Sequence, residues 1–345
     1  LHDCLTSEGY DLPRSLSLFV GNTAAAAQGL RHLPDQPDYN RVWPGSDHPD
    51  SPEKRMMAEV VDIMQRRRPF ASVDVHNNTG INPHYGCINR VEHQFMHLAS
   101  LFSRTLVYFT RPAGVQSMAF AQLCPAITVE CGKVGQAAGE VHAQEFLEAC
   151  LHLSQIPDHP VAAHDVDLFH TVATVRVPGA YSFGFGEQPV EICFVDDLDH
   201  LNFRELPVGT TLARLDGVDG LPLEAVDERG RQVADRFFRV EDDMLRTIRA
   251  LMPSMFTLDE RVIRQDCLCY LMERIHYEDN EEVTGIVGHD DVDTVEETRP
   301  DLQHPVTGLE FEQLGHEGDD VGLRDRLTVI DGQGTVAVGA RLLAR

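Results

Sequence analysis

Apolar and polar positions in the first half of the chain follow the periods of strands and helices in turn. Ser15–Val20 is a short apolar run closed by Gly21 and Asn22, which predicts a buried strand. A stripe of methionine and valine at helical spacing follows Ser51 and Pro52, which predicts an amphipathic helix capped by Ser51. The basic triplet that ends this stripe, Arg66 to Arg68, is typical of a helix C-terminus.

The same patterns continue along the chain. They predict strands at 70–75, 106–109 and 126–129, with helices at 91–104 and 139–153. We therefore expect residues 1–160 to form an α/β domain, in which helices cover a parallel or mixed sheet.

The pattern changes after this domain. Short strands at 171–177, 190–195, 210–215 and 223–226 predict a smaller β-rich domain over residues 166–276, which ends with a helix around 258–275. Residues 277–345 read as an acidic linker and C-terminal extension, with a hairpin predicted at 327–337.

Charge and composition exclude several classes of partner. The net charge of −26 argues against nucleic acid and anionic membranes, so any site for an anion must be local. The chain has no apolar run long enough for a membrane span, and its eight cysteines form no disulfide or metal pattern. These features favour a cytoplasmic protein with reduced thiols, and they leave a homo-oligomer open.

Three short segments carry candidate chemistry. His76 follows an apolar run beside Asp74, as a zinc ligand at the rim of a sheet does. Arg41 and Asn40 offer a guanidinium fork and an amide that match a carboxylate. Glu130 ends another apolar strand, a half-buried place that suits a general base. Taken singly, each residue is more often structural.

Taken in order, the segments are more specific. Asp-Tyr-Asn-Arg at 38–41, Asp-Val-His-Asn at 74–77 and Thr-Val-Glu-Cys-Gly at 128–132 resemble the succinylglutamate desuccinylase/aspartoacylase family, a branch of the zinc carboxypeptidase-like superfamily. The resemblance covers residues 15–155 and implies a carboxypeptidase-like mixed sheet. It also implies that His76 is a zinc ligand, Glu130 the general acid and base, and Asn40 and Arg41 the carboxylate site. Arg31 would match the arginine that polarises the scissile carbonyl.

The chain departs from the family at the other two zinc ligands. The family carries them in a His-x-x-Glu motif before the arginine segment, and no such motif precedes Arg41 here. The motif occurs at His142 to Glu145, inside a predicted helix after Glu130, where we interpret it as structural. We expect the missing pair in a segment ahead of Leu1, because catalytic zinc needs three protein ligands.

The sequence therefore predicts a zinc-dependent hydrolase of a non-peptide amide bond, acting on an N-acyl amino acid or a similar small molecule with a carboxylate. Two alternatives stay open. One is a metallocarboxypeptidase acting on a peptide, and the other is a catalytically dead relative that serves as a binding module. We further expect the segment 111–122, which precedes Glu130, to line the pocket.

Overall fold

The computed structural model describes residues 12–276 and the backbone of one further strand, Thr335–Ala340. The strands are β1 (Ser15–Val20), β2 (Pro69–Asn78), β3 (Tyr85–Ile88), β4 (Thr105–Tyr108), β5 (Ala126–Lys133), β6 (Asp167–Arg176), β7 (Phe183–Phe185), β8 (Ile192–Phe194), β9 (Thr211–Leu215), β10 (Glu224–Asp227), β11 (Phe238–Glu241), β12 (Met244–Thr247), β13 (Met252–Ser254), β14 (Cys269–Ile275) and β15 (Thr335–Ala340). The α-helices are α1 (Thr23–Ala26), α2 (Pro52–Arg67), α3 (His93–Ser100), α4 (Gln116–Phe120), α5 (Ala137–His152) and α6 (Glu260–Gln265).

Ten strands form one mixed sheet. Its order is β1-β15-β2-β5-β3-β4-β6-β14-β13, and β10 pairs with β6 beside this path. Strands β1, β15, β2 and β5 run parallel to one another, whereas β3 is antiparallel to β5 and β14 is antiparallel to β6. Helices α3, α4 and α5 pack against the central strands. The predicted α/β class with a mixed sheet is confirmed.

The β-rich region contributes to both of the sheets that the structure describes. Strands β6, β10, β13 and β14 extend the large sheet, while β7, β8, β9, β11 and β12 form a five-stranded sheet of their own. Two hydrophobic cores follow the same division. One lies under the helices around Met57 and Ile127, and the other packs around Phe194 and Leu245.

Two predicted elements differ from the structure. Residues 258–275 are not one helix: α6 ends at Gln265, and β14 follows with both edges paired, to β6 and β13. The cysteine pair Cys267 and Cys269 lies at this junction and not inside a helix. Pairing with a distant strand outweighs the local helical pattern, because propensity is a weak preference.

The C-terminal region holds the second difference. The predicted hairpin would pair neighbouring segments in antiparallel fashion, but β15 lies between β1 and β2 and is parallel to both. The first strand of that hairpin and the predicted acidic linker lie outside the described residues. Within the described part of the chain, no helix is long and apolar enough to cross a bilayer.

Candidate active site

The candidate site begins at two neighbouring strands of the large sheet. β2 and β5 run parallel, and their register places His76 beside Glu130. Side chains at alternate positions of a strand share a face, so Asp74, His76 and Asn78 project on one side with Glu130. Each of these four side chains is buried in the structure. The two strand segments singled out in the sequence therefore meet on neighbouring strands of the sheet.

His76 is held between two carboxylates. Its Nε2 lies 2.9 Å from Asp74 Oδ2, and its Nδ1 lies 3.5 Å from Glu130 Oε1. The other oxygen of Glu130 accepts a hydrogen bond from Asn78 Nδ2 at 3.4 Å. Burial by itself lowers the pKa of His76, but Asp74 and Glu130 outweigh that effect and raise the pKa to about 9. The ring is therefore cationic at neutral pH in this arrangement.

The described residues do not fit a zinc ion by themselves. Catalytic zinc uses three protein ligands, and a histidine ligand must be neutral. Both ring nitrogens of His76 face carboxylates instead. Across residues 12–276, no group of three or more His, Cys, Asp or Glu side chains is arranged to hold a metal ion.

A second group of charges joins the arginines to an acid from the β-rich region. Arg41 Nη2 donates to Asp266 Oδ1 at 2.9 Å, and Arg31 Nη1 lies 2.8 Å from Asp266 Oδ2. Arg31 Nε also donates to Asp38 at 2.7 Å. Burial opposes charge on both guanidiniums, but Asp266 and Asp38 outweigh it and raise the pKa of Arg31 and of Arg41. Both arginines are therefore fixed in position and fully charged.

The loop that carries these arginines is fixed by its own backbone and by Asn40. Asp38 caps a short 3-10 turn, Tyr39–Arg41, by accepting from the backbone N–H of Asn40 at 3.0 Å. Asn40 Oδ1 accepts from the backbone N–H of Gln116 at 2.9 Å, and Asn40 Nδ2 lies 3.5 Å from His76 Nε2. The side chain of Asn40 thus ties the arginine loop to Gln116 and places its amide nitrogen near His76.

One cavity gathers all of the predicted site residues. Arg31, Asn40, Arg41, His76 and Glu130 all line a cavity of about 100 Å³. These residues come from the loop after α1, from β2 and from β5, so only the fold brings them together. A cavity with two guanidiniums, a buried carboxylate and a cationic imidazole can bind a small carboxylate and transfer a proton beside it.

Several other residues that line this cavity were not predicted from the sequence. They include Asp266, Tyr85 and Tyr270. Arg111 and Val115 also line the cavity, and they belong to the segment 111–122 that we expected there. Burial raises the pKa of both tyrosines well above the usual range, so their hydroxyls stay protonated. Asp266 and Tyr270 fall in the stretch predicted as one helix, and nothing in that local pattern marks them as site residues.

The His-x-x-Glu motif at His142 lies away from this cavity. It is part of α5, where His142 Nε2 lies 2.7 Å from the carbonyl oxygen of Phe102. The ring also stacks on His84, with centroids 4.9 Å apart. These contacts agree with the structural role predicted for the motif.

No family model and no curated protein matches the sequence of this chain. Twenty-two chains of solved structures are similar to it. Succinylglutamate desuccinylase from Chromobacterium violaceum has 17% identity and a TM-score of 0.46, and the match covers 74% of this chain and 72% of that one. Murine aminoacylase 3 has 14% identity and a TM-score of 0.47, with 74% of this chain and 82% of that one covered.

A third similar structure is the succinylglutamate desuccinylase/aspartoacylase from Rhodobacter sphaeroides. It has 14% identity and a TM-score of 0.46, and 73% of each chain is covered. A likeness of this degree assigns no activity or substrate to this chain. These structures are similar in fold to this chain. Some of them are members of the family that its three sequence motifs resemble.

Proposed function

We propose that this protein is a hydrolase that cleaves the amide bond of an N-acyl amino acid or a similar small molecule with a carboxylate. The observation that carries this proposal is the single cavity lined by Arg41, Asn40, His76 and Glu130. Each of these residues has a role in the family that the motifs resemble. A cavity of about 100 Å³ suits a small carboxylate, so we favour this function over a peptidase.

Arg41 and Asn40 would bind the substrate carboxylate. Arg41 keeps one guanidinium nitrogen on Asp266 and another on the carbonyl oxygen of Asn40, which fixes the plane of the fork. The amide nitrogen of Asn40 lies beside His76. The Asn40 side chain therefore points towards the end of the cavity where the reaction would take place. Binding at this place would orient the amide bond near Glu130.

Glu130 would act as the general base and then as the general acid. Its carboxylate would take a proton from water while the water oxygen bonds to the amide carbon. The carboxyl group would then return that proton to the nitrogen as the carbon–nitrogen bond breaks, which releases the amine and the carboxylic acid. The developing negative charge on the carbonyl oxygen would face the guanidinium of Arg31, which lines the same cavity.

The test is hydrolysis of a panel of N-acetylated amino acids by the purified protein, followed as release of free amine. We expect one or a few members of the panel to be cleaved. Glu130→Gln should lower kcat by about 100-fold or more, because general acid–base catalysis contributes roughly that much. Binding of substrate, measured by calorimetry, should survive this change.

Glu145→Gln is the matched control, because this acid lies on the exposed side of α5. Its activity should equal that of the unchanged protein. Retained activity in Glu130→Gln would remove the proposed role of Glu130. Binding of N-acyl amino acids with no hydrolysis of any of them would leave only the binding-module alternative.

Zinc dependence remains a prediction from the sequence, and two ligands beyond His76 would be needed. With those two further ligands in place, metal analysis should find about one zinc per chain, and His76→Ala should remove it. Zinc that stays bound in His76→Ala would contradict the assignment of His76 as a ligand. His48→Ala is the control, since His48 lies in an exposed loop outside the cavity.

A further inference from the structure

A second cavity adjoins the candidate site. Its volume is about 240 Å³, and it shares Arg31, Asn40 and His76 with the first cavity. Asp74 lines the second cavity and Glu130 lines the first. Since His76 has Asp74 at one ring nitrogen and Glu130 at the other, its ring stands between the two spaces. A molecule that spans both cavities would therefore pass beside His76.

The wall of the second cavity is mainly apolar. Its lining includes Phe19, Leu30, Trp43 and Met57, together with Ala26 from α1 and Ala27 directly after it. Trp43 is held in place by edge-on contacts with Phe19 and Phe120, at centroid distances of 5.7 Å and 5.9 Å. The transfer of apolar groups from water into such a space is favourable. The cavity therefore suits a hydrocarbon chain or an aromatic ring.

One buried polar atom in this wall lacks a partner. Gln116 is 3% exposed and lines the second cavity. Its Nε2 donates to Ser72 Oγ at 2.8 Å, while its Oε1 has no hydrogen-bond partner among the described residues. A buried acceptor without a donor is costly.

The acids of the second cavity exclude a charged acyl group. Asp38 and Asp74 both line it. The two cations beside them are already paired with acids: Arg31 with Asp38 and Asp266, and His76 with Asp74. A second carboxylate on the substrate would have to enter this space against two acids and lose its water. The lining therefore discriminates against dicarboxylic acyl groups.

We propose that the second cavity binds the acyl group of the substrate, and that this group is apolar, such as an aliphatic chain of about six to eight carbons or a benzoyl ring. This inference rests on the proposed function, because it assigns the carboxylate to the first cavity and the amide bond to the wall at His76. An apolar cavity of about 150 Å³ holds benzene. A volume of about 240 Å³ therefore leaves room for these groups.

The test compares N-acetyl, N-octanoyl and N-benzoyl derivatives of the amino acid that is cleaved fastest in the panel. Each methylene group that is buried strengthens binding by about fourfold. We expect kcat/KM for the octanoyl substrate to exceed that for the acetyl substrate by roughly 50-fold or more. Equal values for the two substrates would overturn the inference while the proposed function stands.

Ala26→Phe fills the cavity from α1, and Ala24→Phe is the matched control, exposed on the same helix and outside the lining. Ala26→Phe should lower the octanoyl-to-acetyl ratio by about tenfold or more, and Ala24→Phe should leave it unchanged. Equal ratios in the two variants would contradict the inference. Ala27→Phe repeats the test should Ala26→Phe fail to fold.

The two proposals fail in different ways. If no substrate is hydrolysed, the proposed function is wrong, and calorimetry of N-octanoylglycine and N-acetylglycine still tests the cavity. An apolar ligand site would be supported if the octanoyl compound binds at least 50-fold more tightly than the acetyl compound and if Ala26→Phe weakens its binding. Binding without a chain-length preference would overturn it.

Discussion

At the scale of single residues, the site depends on a balanced group of charges. Arg31 and Arg41 share Asp266, and Arg31 also pairs with Asp38, so two cations face two acids. The protein as a whole carries a net charge of −26, so its overall field does not attract anions. Recognition of a carboxylate here must therefore depend on the directions of hydrogen bonds and not on excess positive charge.

This dependence leads to a prediction for Arg41→Lys. Lysine keeps the charge but loses the planar fork that reaches Asp266 and the carbonyl oxygen of Asn40 together. We expect KM to rise by about tenfold, with kcat changed much less. Steady-state kinetics on the cleaved substrate measure both constants.

Arg90→Lys is the control for that change, because Arg90 is a partly exposed residue outside the cavity and its KM should stay the same. A KM for Arg41→Lys equal to that of the unchanged protein would show that Arg41 does not bind the substrate carboxylate.

The sequence supports prediction of some site residues better than others. His76 and Glu130 end apolar runs, so the sequence alone marks both of them as reactive side chains at the ends of strands. Asp266 bonds to Arg41 across a separation of 225 positions, and no local pattern reports a contact of that kind. Gln116 falls within the expected lining segment, but its unpartnered oxygen depends on packing that only the fold defines.

At the scale of elements, α5 packs closely against β5 next to Glu130. A methyl group at Gly139 would lie 2.0 Å from the carbonyl oxygen of Cys131, the residue after Glu130. Gly139 is buried at the first turn of α5. The helix can lie this near the strand only because position 139 has no side chain, so the place of Glu130 in the sheet depends on it.

Gly139→Ala should therefore lower the free energy of unfolding by about 1–3 kcal/mol, as overpacking of a core does. At an exposed helix position the same change would stabilise the protein by about 1 kcal/mol. The sign of the change in stability therefore tests the contact between α5 and β5. Chemical denaturation measures it.

Ala138→Ser, at the exposed neighbouring position, is the control and should cost no more than about 0.5 kcal/mol. A Gly139→Ala protein that is more stable than the unchanged one would contradict the close approach.

Elements with a strong local period were predicted well, and elements fixed by distant partners were not. β1 and α2 occur where the apolar stripes place them, and Ser51 caps α2 by accepting from the backbone N–H of Lys54. β14 follows a helical stretch and takes its form from pairing with β6 and β13. β3 was not predicted, because Gly86 interrupts its short apolar run.

At the scale of the whole molecule, the large sheet joins distant parts of the chain. β6 continues the sheet from β4 into the β-rich region, and Asp266 from that region bonds to the arginine loop. β15 fills the position between β1 and β2 and pairs with both. The strand that carries His76 thus has β15 on one side and β5 on the other.

Val338→Pro tests this position of β15. The backbone of Val338 pairs with Leu18 on one side and with Val73 on the other. Proline removes an N–H group and does not fit the interior of a sheet, so we expect a loss of about 3 kcal/mol or more in the free energy of unfolding.

Val338→Ile keeps the backbone and should change the stability by less than about 1.5 kcal/mol. Thermal unfolding of both variants gives the comparison. A Val338→Pro protein as stable as the unchanged one would place β15 outside the sheet.

The position of β15 also determines when the sheet can be completed during synthesis. β1 and β2 leave the ribosome well before β15, the strand that lies between them in the sheet. Until then both strands have open edges that can pair with other nascent chains. Contacts this distant in sequence also form slowly. Folding of this protein should therefore depend on chaperones that shield strand edges, and yields of native protein should rise at low expression temperature.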